Sequence, residues 1–323
     1  MRIAILGAAD IAFRRFLPAL KKCPTLEYAG VASRSPEKAK KFREAFGGTI
    51  YTSYESALAD ESVGAVYLPL PPALHAVWGK RALAAGKHVL MEKPFSSSLS
   101  ETEKLLVMSE ERKVAVYENY MFLCHSQLRK VSELIDNGTL GDIWLYRISF
   151  GVPRRQVGDF RLNRELGGGA LLDCGGYPIR LASELLGENL RVTQAELRMP
   201  QGAEVDLFGS AVLQNDEGLC AQISFGIDNA YQCRLEAWGS KATLIAPRIF
   251  TAGMGVEPQI ILRASNGEEL LELPEDDHFL HSIEMFGALL DDGAAQKKQR
   301  EFIMRQARLV EDVRNLAGTR RKG

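Results

Sequence analysis

Residues 2–20 read RIAILGAADIAFRRFLPAL, an apolar run that stops at Gly7 and gives way to helical spacing. A short apolar run bounded by a turn signal predicts a buried strand. Gly7, Ala9 and Ala12 then stand at the three glycine positions of a G-x-G-x-x-G dinucleotide turn. In such a turn the first glycine makes the bend, the second lets backbone approach a pyrophosphate, and the third lets the helix pack closely. Alanine at the second and third positions adds one methyl group at each and leaves the helix N–H groups free for phosphate. The spacing predicts a cofactor turn built from Gly7, Ala9, Asp10, Ile11 and Ala12. An ordinary βα turn of small residues has the same spacing, so the turn alone leaves both readings open.

Outward from this stretch, apolar runs at 27–32, in AVYLPL (65–70) and in HVLME (88–92) alternate with helical patterns at 12–20, 36–46, 73–85 and 98–112. That is the rhythm of parallel βαβ units. From Ile143 the texture changes: IWLYRISFGV (143–152) and segments at 190–200, 205–214, 218–226, 231–237 and 259–273 have strand-like patterns. Long crossover helices are mostly missing between the later segments, which predicts hairpins and a large, mainly antiparallel open sheet. Helices are expected at 175–187, 278–291 and 300–317. The chain is read as an α/β Rossmann dinucleotide-binding domain over 1–120 and an α+β substrate-binding and oligomerisation domain over 121–323, with the last helix packing back on the first domain.

Composition narrows the function. Forty basic against 41 acidic side chains in 323 residues give a net charge of −1, with short basic ends only near Lys297 and Arg320. Nucleic-acid binding lacks its electrostatic footprint. The five cysteines form no CxxC pair, which fits a reducing compartment. The apolar start is too short for a signal segment and later apolar runs are interrupted, so no membrane span is expected and a cytoplasmic location is. No H-x-x-x-H or clustered Cys/His/carboxylate spacing suggests a metal.

At the end of the second strand, VASRSPEKA (31–39) places Ser33, Arg34 and Ser35 where an NAD site puts a carboxylate against the ribose. Arginine there favours a 2′-phosphate, hence NADP(H). The alternative is a solvated helix start, with Pro36 in the first turn and the serines as caps.

Two further stretches are more specific. AVYLPLPPALH (65–75), followed by AAGKHVLMEKPF (84–95), resembles the Gfo/Idh/MocA oxidoreductase family, and the resemblance extends over essentially the whole chain. It implies that Glu92, Lys93 and Pro94 lie at the nicotinamide, with Lys93 as the catalytic or substrate-polarising lysine. The residue reading is compatible, because open α/β sheets bind ligands at strand C-termini, and an ammonium there can stabilise a developing alkoxide. GGGALLDCGGYPIRLASELLG (167–187) resembles the family's second signature. Asp173 matches the family aspartate; Tyr177 stands where histidine is usual, and Arg180 where an acidic residue is common. Tyrosine thus becomes the candidate proton donor, its phenol protonated near neutrality at a reference pKa of about 10. Asp173 would orient the donor, bind a substrate hydroxyl or cap the helix.

YENYMFLCHSQ (117–127) also resembles the family, which points to Asn119 at the nicotinamide or a sugar hydroxyl. His75 follows Leu70, Pro71 and Pro72 where the family has Thr-Pro-Asn, so Leu70, Pro71 and His75 are expected to shape the cofactor loop. Taken with LEAWGS (235–240), these stretches look most like the family's nucleotide-sugar 3-ketoreductases. The implied reaction is NADPH-dependent reduction of the C3 ketone of a dTDP-linked 3,4-diketo-2,6-dideoxyhexose, with substrate contacts from Lys93, Asn119, Arg161, Asp173, Tyr177 and Arg180. Arg161, Arg164 and Arg180 are candidates for the diphosphate, since guanidinium groups offer bidentate contacts. Rival readings are a dehydrogenase of a free sugar or dihydrodiol, a non-enzymatic binding protein of the same fold, and a structural subunit. Leu207, Phe208, Val212, Ile223 and Phe225 are expected to form an apolar outer sheet face, hence a homo-dimer or homo-tetramer.

Overall fold

The computed structural model describes residues 1–319; the basic end at Arg320 lies outside the described residues. The chain forms two units. One comprises Met1–Met121 with Phe279–Ala307; the other comprises Phe122–His278 with the chain from Arg308.

The first unit is a parallel six-stranded sheet of β1 (Arg2–Leu6), β2 (Glu27–Ala32), β3 (Thr49–Tyr51), β4 (Ala65–Leu68), β5 (His88–Glu92) and β6 (Val116–Asn119). Its order, β3-β2-β1-β4-β5-β6, reverses direction beside β1, directly above which Gly7 makes its turn. Such a switch point is where doubly wound sheets take their ligands. Alternation along each strand serves both faces, as parallel sheets require. Ile3 and Ile5 enter a core with Phe16, Tyr67, Leu90 and Phe286. Ala4 and Leu6 enter another with Val66, Leu68, Leu105 and Ile303.

Helix α1 comprises a wide π-wound segment, Ala12–Phe16, and the α-turn Leu17–Leu20; α2 (Pro36–Phe46), α3 (Tyr54–Ala59), α4 (Pro72–Ala84) and α5 (Leu99–Arg112) follow. β3 and α3 fall outside the predicted elements because they are too short for periodicity; their local signal is the reciprocal capping of Ser53 and Ser56.

The second unit contains α6 (Ser126–Asp136), α7 (Gly176–Leu186) and an eight-stranded sheet. Its strands are β7 (Ile143–Gly151), β8 (Arg191–Arg198), β9 (Phe208–Gln214), β10 (Cys220–Gly226), β11 (Gln232–Gly239), β12 (Ala242–Ala246), β13 (Gln259–Ala264) and β14 (Gly267–Glu272). The order β14-β13-β12-β11-β7-β10-β9-β8 is antiparallel except where β10 runs parallel to β7. The stretch expected as one strand over 259–273 is a hairpin turning before Gly267, with Asn266 ahead of that glycine.

Two expectations about the chain's later part change. Helix α8 (His278–Leu289) sends Phe279, Ile283 and Phe286 into the first unit's core. The last helix, α9, runs Gly293–Thr319 and so begins before 300, because Asp292 accepts from the amides of Ala294 and Ala295. The apolar outer face is also corrected. Ile223 and Phe225 point inward, almost fully buried on strand β10, against which α7 packs. Leu207 is buried ahead of β9, leaving only Phe208 and Val212 of the predicted set on the other face. That face is mixed: Ser149 meets Ser224 at 3.0 Å, and Arg234 pairs with Glu236 at 2.8 Å.

Candidate active site

In the first unit the predicted residues gather at the C-terminal ends of β1, β2, β4, β5 and β6. Gly7 has φ +113°, a backbone conformation that favours glycine, and a Cβ there would also displace Leu70 Cδ2, 2.6 Å away. Its amide donates to the Ala32 carbonyl at 2.9 Å, tying the turn to the end of β2. Ala12 is buried while Ala9 and Ile11 are partly exposed; Asp10 is exposed and pairs with Arg14. Small residues are therefore used in two ways: one for packing, one at the surface where the helix begins.

Beyond β2, Ser33, Arg34 and Ser35 keep their predicted place, with distinct tasks. Ser35 Oγ accepts from Lys38 N and caps α2, and Ser33 Oγ accepts from Ser35 N. Arg34 remains exposed, with its charge near the Tyr54 phenol. Tyr54 in turn stands edge-on to Trp78 at 4.6 Å, so an aromatic support lies behind the guanidinium. Burial raises the phenol's pKa, with Arg34 pulling it the other way. Tyr54 escaped the sequence reading because its short helix did.

At the end of β5, Glu92 Oε1 accepts from Tyr67 Oη and from Asn119 Nδ2, each at 2.7 Å. Asn119 is 1% exposed, and its Oδ1 accepts from Ser282 Oγ at 2.7 Å. Asn119 thus braces Glu92 from within the unit. Desolvation raises the Glu92 pKa, partly opposed by these two donors and by neighbouring Lys93. Lys93 itself is half-buried, and the Lys93–Pro94 peptide is cis. Glu118 Oε1 accepts from Phe95 N at 2.7 Å. His75 is fully buried, its ring nitrogens 2.7 Å from the Pro94 carbonyl and 2.8 Å from that of Leu70, so it supports the loop from behind. Leu70 and Pro71 both sit partly exposed at the start of α4.

In the second unit the glycine-rich signature opens a helix. Gly168 is compulsory, because a Cβ would meet the Arg161 carbonyl oxygen at 2.5 Å and backbone cannot give way as a side chain can. The segment then winds wide as a π-turn, Leu171–Gly175, before α7. Two of the helices that open with predicted site residues, α1 and α7, therefore begin wide, a feature that recurs at functional sites and leaves no mark in composition.

Asp173 lies in that wide turn and accepts from Arg161 Nε at 2.9 Å; Arg161 also pairs with Asp159 at 3.3 Å. Arg161, a candidate for the diphosphate, is thereby engaged on Asp173. Arg180 is 6% exposed and pairs with Glu184 at 2.8 Å, one turn on, while Arg164 Nε donates to the Glu204 carbonyl. Tyr177 is 6% exposed, its ring packed among Phe122, Phe150 and Phe250. His125, also noted in sequence, caps α6 by accepting from Gln127 N. Among the described residues no group of three or more His, Cys, Asp or Glu is placed to hold a metal ion.

Asp206 had no sequence signal of its own. Its Oδ2 accepts from Leu171 N at 2.8 Å, and its carbonyl accepts from Ala170 N, which fixes the start of the segment carrying Asp173 and Tyr177. Burial raises its pKa although these amides oppose the shift. Asp206→Ala should destabilise the protein by about 1–2 kcal/mol, the usual cost of a lost helix cap, read as a lower urea midpoint at unchanged slope. An unaltered midpoint would mean the helix start is held without it.

Comparison with known proteins covers the whole of this arrangement. The model for the oxidoreductase family with an NAD-binding Rossmann fold (GFO_IDH_MocA) matches residues 1–120, and that for the GFO/IDH/MocA C-terminal domain matches residues 128–245. A dTDP-3,4-didehydro-2,6-dideoxy-alpha-D-glucose 3-reductase from Streptomyces violaceoruber is 42% identical, across 98% of this chain and 95% of its own length. The enzyme of the same name from Actinomadura kijaniata is 40% identical, across 97% and 95%. A 3-ketoreductase from Actinomadura kijaniata, crystallised with NADP and TDP-benzene, superposes with a TM-score of 0.94 at 40% identity, covering 98% of this chain and 97% of that one.

Proposed function

The chain belongs to the GFO/IDH/MocA oxidoreductase family, and from that premise we propose that it uses NADPH to reduce the C3 ketone of a dTDP-linked 3,4-diketo-2,6-dideoxyhexose. The observation that carries this reading is identity of 40% to 3-reductases of that sugar, extending across both units, in a chain that has Lys93, Asp173 and Tyr177.

The residues present suit the cofactor. Arg34, close to the Tyr54 phenol, supplies a cation where β2 ends, and the side chains that directly follow the strand include no carboxylate. Gly7 and the helix N-terminus behind it would hold the pyrophosphate, while Arg34 and Ser33 would hold the 2′-phosphate. Bound NADPH supplies the hydride. On the protein's side, the Lys93 ammonium stabilises the negative charge that develops on the C3 oxygen. Tyr177 delivers a proton to that oxygen, completing the alcohol. Asp173, held by Arg161, fixes the approach of the donor or of a substrate hydroxyl.

Turnover measured as NADPH oxidation, with the diketosugar generated in situ by a 2,3-dehydratase, tests the proposal beside a panel of free sugars and dihydrodiols. Activity confined to the nucleotide sugar supports it; activity only on the panel moves the assignment to a free-sugar or diol dehydrogenase. Arg34→Ala should lower kcat/KM for NADPH by about 10- to 100-fold, consistent with loss of a charge-assisted phosphate contact, and leave NADH nearly unaffected. Equal losses with both would remove Arg34 from cofactor choice.

The same reading includes a homo-dimer or homo-tetramer assembled through the eight-stranded sheet, supported by Phe208, Val212 and the 40% exposed Trp238 on or beside its mixed face. A cytoplasmic setting accords with five cysteines that are all free thiols. No helix among the described residues is long and apolar enough to cross a membrane.

A further inference from the structure

His75 is fully buried in the first turns of α4, and its two ring nitrogens face two carbonyl oxygens, those of Pro94 and Leu70. These carbonyls belong to the segments that follow β5 and β4, adjacent parallel strands. A neutral imidazole has one N–H, so it can donate to only one of them at a time. The two carbonyls favour the protonated ring, but burial, with the nearby Lys93 charge acting in the same direction, outweighs them and lowers its pKa to about 4, so the ring is neutral near pH 7.

The two carbonyls are not equivalent. The peptide unit between Pro94 and Phe95 is held at its other end, where Phe95 N donates to Glu118 Oε1 at 2.7 Å. A peptide whose N–H is bonded to a carboxyl oxygen is polarised, which makes its carbonyl the better acceptor. We propose that His75 is a positioning residue for Lys93: its Nδ1–H donates to the Pro94 carbonyl and, with Glu118, fixes the peptide plane next to the backbone from which the lysine side chain extends. His75 touches neither substrate nor cofactor in this role. The inference rests on the reading in which Lys93 acts on the C3 oxygen.

Two substitutions separate the two ring nitrogens, since the amide of asparagine falls near Nδ1 and that of glutamine near Nε2. His75→Gln should lose about 10-fold or more in kcat, in keeping with the rate cost of a misplaced catalytic group, whereas His75→Asn should stay within about 3-fold of the unaltered enzyme. In a Lys93→Met background His75→Gln should cost nothing further, because the group it positions is gone. Equal losses for Asn and Gln, or a Gln loss that persists without Lys93, would overturn the proposal. A Lys93→Met enzyme with unchanged kcat would instead overturn the role of Lys93 itself, a distinguishable result. Should both His75 variants fail to fold, ¹⁵N spectra of histidine-labelled protein decide: a protonated Nδ1 supports the proposal, and a bare Nδ1 with Nε2–H refutes it.

Discussion

Lys93→Met lowers kcat for the dTDP-linked ketosugar by about 10²- to 10³-fold, the range expected when a preorganised charge opposite a developing oxyanion is removed. The lysine stands just past β5, half-buried beside Glu92, whose protonation it influences. Methionine keeps the length of the apolar stem and deletes the ammonium, so packing is preserved while the electrostatic term goes. NADPH affinity, measured separately by fluorescence titration, should change far less than kcat, because the phosphates are assigned to the turn at Gly7 and to Arg34. A loss confined to NADPH affinity would make Lys93 a binding residue with no part in the chemistry.

Tyr177→Phe comes next, with kcat reduced by about 100-fold, the lower end of what a positioned general acid contributes. The ring is wedged among Phe122, Phe150 and Phe250, contacts that phenylalanine retains. Stability of the variant should therefore be nearly unchanged. Tyr177→Ala should differ in kind: emptying so buried a site costs about 3–5 kcal/mol in addition to the activity. Steady-state kinetics paired with chemical denaturation separates the hydroxyl from the ring. An unchanged kcat in Tyr177→Phe would assign the proton to another donor.

The parallel sheet was legible because its strands are continuous apolar runs separated by helices of ordinary length, and Gly7 sits where the first run stops. β3 and α3 were not, being too short to establish a period, and with them went Tyr54 as the neighbour of Arg34. In the second unit, alternation identified the strands but not which face each presented. Ile223 and Phe225 look outward only if the face covered by α7 is unknown, and covering is a tertiary fact. The candidate residues Lys93, Asp173 and Tyr177 were named by a motif, but the contacts of their neighbours were not legible. Asn119 and His75 carry polar groups suited to ligands, yet each binds groups within its own unit that lie far away in sequence. Asp206 was invisible for the converse reason: it caps a helix start about 35 residues earlier in the chain, beyond the reach of any local pattern.

The parallel pairing of β7 with β10 bears on how the second unit comes into being. Leu145 meets Cys220 across about 70 intervening residues and β7 meets β11 across still more, while the β9–β10 and β12–β13 hairpins form over far shorter spans. Closing so long a loop is entropically slow, and contacts of wide sequence separation delay folding. The segment that must be brought home before this pairing closes contains the glycine-rich turn, Asp173 and all of α7, whose inner face packs on both strands. The sheet's central seam and the tyrosine helix are thus expected to mature in one late event, so that a chain caught before it would display completed hairpins at both sheet edges and no functional Tyr177.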